Sequence, residues 1–151
     1  MIVVRMVLRS VGAIVAGLVV TAAIVVGVEI ISAIFHPFPP GVDQSDLEVC
    51  KAQVARYPTW LLACAAAGWC AASFAGSWLA TRVGTGRHPA HGGIVWGALQ
   101  AMAAANMAML PYAMWFPILI EVGLPLAALL GIRKGMQSSS RDARGKLDSS
   151  L

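Results

Sequence analysis

Four apolar stretches, at about 11–35, 59–81, 93–110 and 115–132, take up most of the chain and leave only short polar joints between them. A helix rising about 1.5 Å per residue needs roughly 17–25 apolar residues to cross a hydrocarbon core of ~30 Å. The first two stretches reach that length comfortably and the last two sit near its lower limit. Inside lipid every backbone amide must be satisfied by the chain itself, which restricts spanning segments to helices or closed barrels. These runs are continuous instead of alternating, so the pattern predicts an all-α polytopic membrane protein: a four-transmembrane-helix bundle with a short extracytoplasmic helix.

Composition agrees. Hydrophobic residues make up 58% of the chain and charged residues 12%, against about half and a quarter in soluble domains. The net charge of +4 does not indicate a nucleic-acid partner, because the basic residues sit at the ends of apolar segments and form no stripe. Their distribution carries an orientation. Arg5, Arg9, Arg82, Arg87, Arg133, Lys134, Arg141, Arg144 and Lys146 would share one side, and only Lys51 and Arg56 the other. The excess of cationic residues on cytoplasmic loops then puts both termini and the 82–92 loop in the cytoplasm. Tyr57, Trp60, Tyr112 and Trp115 fall at the outer interface, and Trp78 and Trp96 at the inner one. Trp69, in mid-membrane, is the exception.

Arg5 and Arg9 before an apolar run resemble a secretory signal. The run of about 25 residues exceeds the usual 7–15 of such a signal and no clear A-x-A site follows it, so it reads as a retained first span. His36-Pro37-Phe38-Pro39-Pro40-Gly41 cannot continue a helix. Within the outer-face loop 36–58, residues Asp43–Tyr57 read as a short helix on the membrane surface or capping the bundle. Ser45 and Glu48 have capping-box spacing, and Leu47, Cys50, Val54 and Tyr57 make an apolar stripe. The first 134 residues thus form the membrane domain, and 135–151 reads as a disordered basic cytoplasmic tail that can touch anionic lipid.

Lipid-embedded helices gain little from the hydrophobic effect and need close backbone approach or polar bonds. Gly68, Ala72, Gly76 and Ala80 place a small residue at every fourth position of the second span, flanked by Ser73 and Ser77. Ala13, Gly17 and Thr21 form a similar stripe on the first span, and the two faces are expected to meet, within one chain or between copies.

The residues with chemical potential form a candidate intramembrane polar layer: Glu29, Ser32, His36, Asn106 and Glu121. Glu29 lies six residues before Phe35 and Glu121 six after Trp115, so each would sit about 9 Å below the outer interface. An ionised acid in mid-bilayer costs about 2.5–3.5 kcal/mol on insertion scales, so such a residue needs a partner, a proton or a route to water. One reading is a proton or cation site shared by the two acids. The other, favoured on base rates, is structural: acids that glue helices through Asn106, Ser32 or Arg56. Pro125 and Gly123 would loosen the last span beside Glu121.

Other signals are weaker. Cys50, Cys64 and Cys70 contain no CxxC and read as packing residues. His88 and His91 form an HxxH, but Pro89 and the lack of a nearby third ligand argue against metal. Gly84-Thr85-Gly86 lacks the lysine of a phosphate loop. Gln100 reads as an interhelical hydrogen-bonding residue, and the methionines as packing material. No nucleophile motif occurs, so neither metal nor cofactor is expected.

The His36–Gly41 segment, together with Asn106 and Leu110-Pro111-Tyr112-Ala113-Met114-Trp115-Phe116, resembles small four-span bacterial inner-membrane proteins over about Val11–Lys134. Similar chains often carry a second proline where Ala113 stands, a departure that bears only on the turn. The resemblance implies a multi-pass protein of the bacterial inner membrane and transfers no catalytic residue. The functional expectation is a non-enzymatic accessory or scaffold subunit packing through small-residue helix faces. Its partners would be the lipid bilayer and either further copies or a larger membrane complex, with no nucleic acid. The alternative is a small proton- or cation-coupled transporter using its intramembrane carboxylates; a membrane enzyme ranks third.

Overall fold

The computed structural model describes residues 2–148, with side chains through residue 137. Five α-helices follow one another: α1 (Ile2–Phe35), α2 (Leu47–Val54), α3 (Thr59–Val83), α4 (Pro89–Met109) and α5 (Trp115–Asp148), with a 3₁₀ turn at Thr85–Arg87 between α3 and α4. Among the described residues, three segments are long and apolar enough to cross a bilayer: α1, α3 and the Trp115–Gln137 part of α5. The chain is therefore an all-α, polytopic membrane protein. At 21 residues α4 has the length of a span. It misses that apolarity because His91, Gln100 and Asn106 interrupt an otherwise alanine- and methionine-rich run.

Helix α3 is the hub. It packs against α1 on one side and α5 on the other, α4 closes against all three, and α1 and α5 barely touch. The small residues explain why. A Cβ on Gly17 of α1 would stand 2.8 Å from the Gly76 carbonyl oxygen, and one on Gly76 would stand 2.9 Å from the Gly17 carbonyl oxygen. The two backbones thus approach each other with no room for a side chain. The stripe Ala13, Gly17 and Thr21 is buried against Ala72, Gly76 and Ala80. The two faces meet within one chain. Similar close approaches recur on α4, where a Cβ on Gly92 would stand 2.7 Å from the Ser77 carbonyl oxygen, and on α5, where one on Gly135 would stand 3.0 Å from the Trp78 carbonyl oxygen.

Each interface of α3 also carries one hydroxyl-to-carbonyl bond. Thr21 Oγ1 of α1 donates to Ala72 O (3.4 Å), Ser77 Oγ to Gly92 O of α4 (3.1 Å), and Ser73 Oγ to Leu124 O of α5 (2.9 Å). In bilayer protein such bonds average about 0.6 kcal/mol, so close packing supplies most of the cohesion and the hydroxyls set its register.

The ends of the bundle differ in charge. At one end Arg9 Nε donates to Val83 O, the last carbonyl of α3, and Thr85 Oγ1 donates to Met6 O, both at 2.9 Å. A cation there also complements the negative end of the helix dipole. Arg82 over the Trp78 ring and Lys134 over the Phe74 ring border the same half of the bundle. At about 1.5 Å per residue, the 34 residues of α1 extend well beyond a hydrocarbon core, which carries Arg5 and Arg9 out of it. The opposite end holds the 36–58 segment, where Gln53 Nε2 donates to the His36 and Pro37 carbonyls (2.8 and 3.2 Å) and seats α2 over the end of α1.

Several boundaries differ from expectation. Helix α2 is shorter than 43–57, and its N-cap is Asp46, whose carboxylate accepts from Glu48 N at 2.9 Å. Ser45 is drawn away because its own N–H and Oγ both donate to Asp43 Oδ1 (2.9 and 2.7 Å), a turn that competes with the capping box. Its hydroxyl and N–H hold the exposed Asp43 carboxyl below the usual range. Helix α4 starts at Pro89, four residues early, because proline suits the first helical position and His88 Nδ1 caps Ala90 N at 3.2 Å. Helix α1 starts at Ile2, ahead of the expected span, and α5 runs past residue 132. The expected disordered tail, 135–151, falls almost wholly outside the residues with described side chains.

Candidate functional site

Where α2 seats on the ends of the longer helices, a cavity of about 180 Å³ remains. Every helix contributes to it. Helix α1 brings Glu29 and Ser32, α3 brings Leu62, Ala65 and Trp69, and α4 brings Asn106. Helix α2 supplies the roof through Gln53 and Val54, and the α4–α5 joint supplies Tyr112 with Phe116. The proline-rich exit of α1 makes this space. It takes the chain off the helix axis, and Gln53 ties α2 back across it.

Aromatic rings form much of the wall. Tyr112 and Phe116 stack with centroids 4.7 Å apart and an interplanar angle of 25°. The Tyr112 hydroxyl donates to Asn106 Oδ1 at 2.9 Å, which fixes both side chains. Tyr57 lies edge-on to His36, with centroids 4.9 Å apart. Burial pushes both the Tyr57 and the Tyr112 phenol up, and the nearby Glu29 carboxyl adds to each. Both hydroxyls therefore stay protonated and available as donors throughout the physiological range.

Trp69 is 7% exposed, and its buried Nε1 lies within reach of the Glu29 carboxyl, outside ideal hydrogen-bond geometry. An indole N–H is a donor only, and leaving one buried and unpaired costs about 1–3 kcal/mol, which makes that carboxyl its natural acceptor. The cavity therefore presents one carboxyl group among several aromatic side chains.

The expected polar layer is split. Glu29, Ser32 and Asn106 line the cavity, while His36 is outside the lining and packs edge-on to Tyr57. Glu121 lies elsewhere, on the α4–α5 seam: Gln100 Nε2 donates to Glu121 Oε2 at 2.7 Å, and Trp96 Nε1 donates to Gln100 Oε1 at 3.2 Å. Because α1 and α5 flank α3 from opposite sides, the two acids do not form one site. His91 Nδ1 is 2.8 Å from the His88 carbonyl, and the described residues hold no group of three or more side chains suited to a metal ion.

The Trp96–Gln100–Glu121 chain yields a prediction. Glu121→Gln preserves an acceptor for Gln100 and should shift stability by less than about 0.5 kcal/mol, whereas Gln100→Leu removes both bonds and should cost about 1 kcal/mol. Thermal midpoints of the two variants in one detergent would show the difference; equal midpoints would mean the seam bonds contribute nothing.

The cavity's aromatic members were not singled out as site residues from sequence. Trp69 left a trace there, as the one tryptophan outside both interfacial belts. Fold and cavity together define a polytopic helical membrane protein with an aromatic cup at its less basic end. No family model, curated protein or solved structure matches this chain.

Proposed function

We propose that the chain is a four-span protein of the bacterial inner membrane, with α4 as its fourth crossing and both termini in the cytoplasm. In this reading it works as a non-enzymatic accessory subunit of a membrane assembly. One observation favours a subunit over a carrier. The interior between the cup and the basic end is packed shut, with Ala72, Ser73, Ser77, Ala80, Val95 and Leu124 all at 0% exposure. Glu121, the second acid a relay would need, lies apart from Glu29. The small-residue stripe is consumed between α1 and α3, so assembly would use other surfaces than the stripe.

A carrier reading keeps one supporting feature, the Glu29 carboxyl at the cup. Proteoliposomes separate the two: the subunit reading expects no pH-driven flux from wild type across a panel of cations and lipophilic amines. Flux that disappears in Glu29→Gln would replace it with the carrier. Mild-detergent purification should recover a homo-oligomer or a stoichiometric partner, and a strictly monomeric, partner-free chain would count against a subunit.

Topology is checked separately. Reporters fused after Leu151 or inserted at residue 86 should be shielded from the periplasm, and one inserted at Gly41 should be accessible there. The reverse pattern, or a C-terminus opposite the 84–88 turn, would overturn the four-span arrangement.

A further inference from the structure

We propose that the aromatic cup is a binding site for a small organic ammonium such as choline or ethanolamine, either free or as a lipid headgroup. The lining combines aromatic side chains from four parts of the chain — Phe38, Tyr57, Trp69, and the stacked Tyr112 and Phe116 — with a single carboxyl, Glu29. None of the lining residues is lysine, arginine or histidine, so the carboxyl meets no cationic partner in the cup. Ring faces are negative and attract a cation, most strongly where water is excluded, and a carboxylate beside them adds direct charge pairing. An anion would meet Glu29 and no compensating base. A purely apolar guest would leave Glu29 without a counter-charge.

Trp69 stands on the same wall, with its Nε1 beside the Glu29 carboxyl, and its indole is the ring that attracts a cation best. Size sets a further limit, because 180 Å³ is below the roughly 300–1,000 Å³ of sites for drug-sized ligands. Choline and ethanolamine are within that limit. The cup is also at the end of the bundle where Trp60 stacks edge-on against Phe35 and Trp115 against Phe116. Aromatic belts of this kind sit at headgroup level, where a lipid ammonium is within reach.

The inference needs only the cup and is independent of the subunit reading: a monomeric chain can bind choline, and an assembled one can fail to. The test titrates full-length protein in dodecylmaltoside with choline chloride and with its uncharged isostere 3,3-dimethyl-1-butanol, by calorimetry. Choline should bind saturably and at least about tenfold tighter than the isostere. Glu29→Gln should abolish that preference, Glu29→Asp should keep it, and Trp69→Phe should weaken choline several-fold without lowering the thermal midpoint. Repeating the titration in phosphatidylglycerol nanodiscs, with and without phosphatidylethanolamine, distinguishes the source. Competition by the ethanolamine lipid indicates a headgroup site, and undiminished choline binding indicates a free amino alcohol. No saturable choline binding in either medium, equal binding of the isostere, or an unchanged preference in Glu29→Gln would each overturn the proposal.

Discussion

Gly76→Leu should abolish the folded bundle, while Gly27→Ala and Gly97→Ala leave it intact. All three glycines sit inside helices, so helix propensity alone would predict a small gain from each replacement, under about 1 kcal/mol. The structure separates them. A Cβ at Gly27 or Gly97 meets nothing within 4 Å, whereas one at Gly76 collides with Thr21 Oγ1, the Gly17 carbonyl oxygen at 2.9 Å and a Val95 methyl at 3.1 Å. A carbonyl in a helix backbone cannot rotate aside as a flexible side chain can. Leucine at 76 therefore forces α1 away from α3, loses the Thr21 to Ala72 bond and disturbs α4 through Val95. Overpacking in a well-packed core costs about 1–3 kcal/mol, and three neighbours displaced together should reach at least ~3 kcal/mol. Yield after detergent extraction, the size-exclusion profile and the thermal midpoint would all report the loss. A Gly76→Leu protein as stable as Gly27→Ala would mean that α1 and α3 do not pack as described.

That close approach was legible in the sequence because it rests on a period: small residues recurring every fourth position on two apolar helices. Three of the expected spans, α1, α3 and the first part of α5, were legible for a related reason, since the bilayer's thickness translates directly into run length. Charge asymmetry was equally plain, and the Arg9 to Val83 and Thr85 to Met6 bonds join the elements that carry the basic residues of one end. What the sequence could not convey was the angular position of each polar group around its helix. Glu29 and Glu121 match in depth, yet depth leaves a full rotation undetermined, and the hub arrangement of α3 puts them on different seams. The cup was hidden for the same reason. Tyr57 and Tyr112 read as ordinary interfacial aromatics, and only the seating of α2 through Gln53 turns them towards a common space. The N-cap of α2 failed more locally: Ser45 and Asp46 are both good caps, and Asp43 claimed the serine first.

Phe116→Ala should cost about 3 kcal/mol of stability and empty the cup, while Ile118→Ala two residues along α5 should change little. Phe116 is 2% exposed and belongs to a buried cluster with Leu62, Leu99, Ala103, Ile120 and Leu124. Ile118 is 62% exposed. In water, truncating a buried phenylalanine costs about 3–5 kcal/mol, partly through lost transfer energy and partly through the cavity left behind. In a bilayer the transfer part shrinks, because lipid tails are as apolar as the core, but the lost van der Waals contacts remain. This places the expected cost at the lower bound of the range. The ring also stacks on Tyr112, whose hydroxyl orients Asn106, so its removal slackens that part of the cup wall. Phe116→Leu divides packing from ring chemistry. It refills most of the space and should recover much of the thermal midpoint, yet it lacks the negative ring face and should leave choline binding weakened. Recovery of both together would show that Phe116 acts through volume alone, and recovery of neither would show that the Tyr112 stack holds up the end of the bundle.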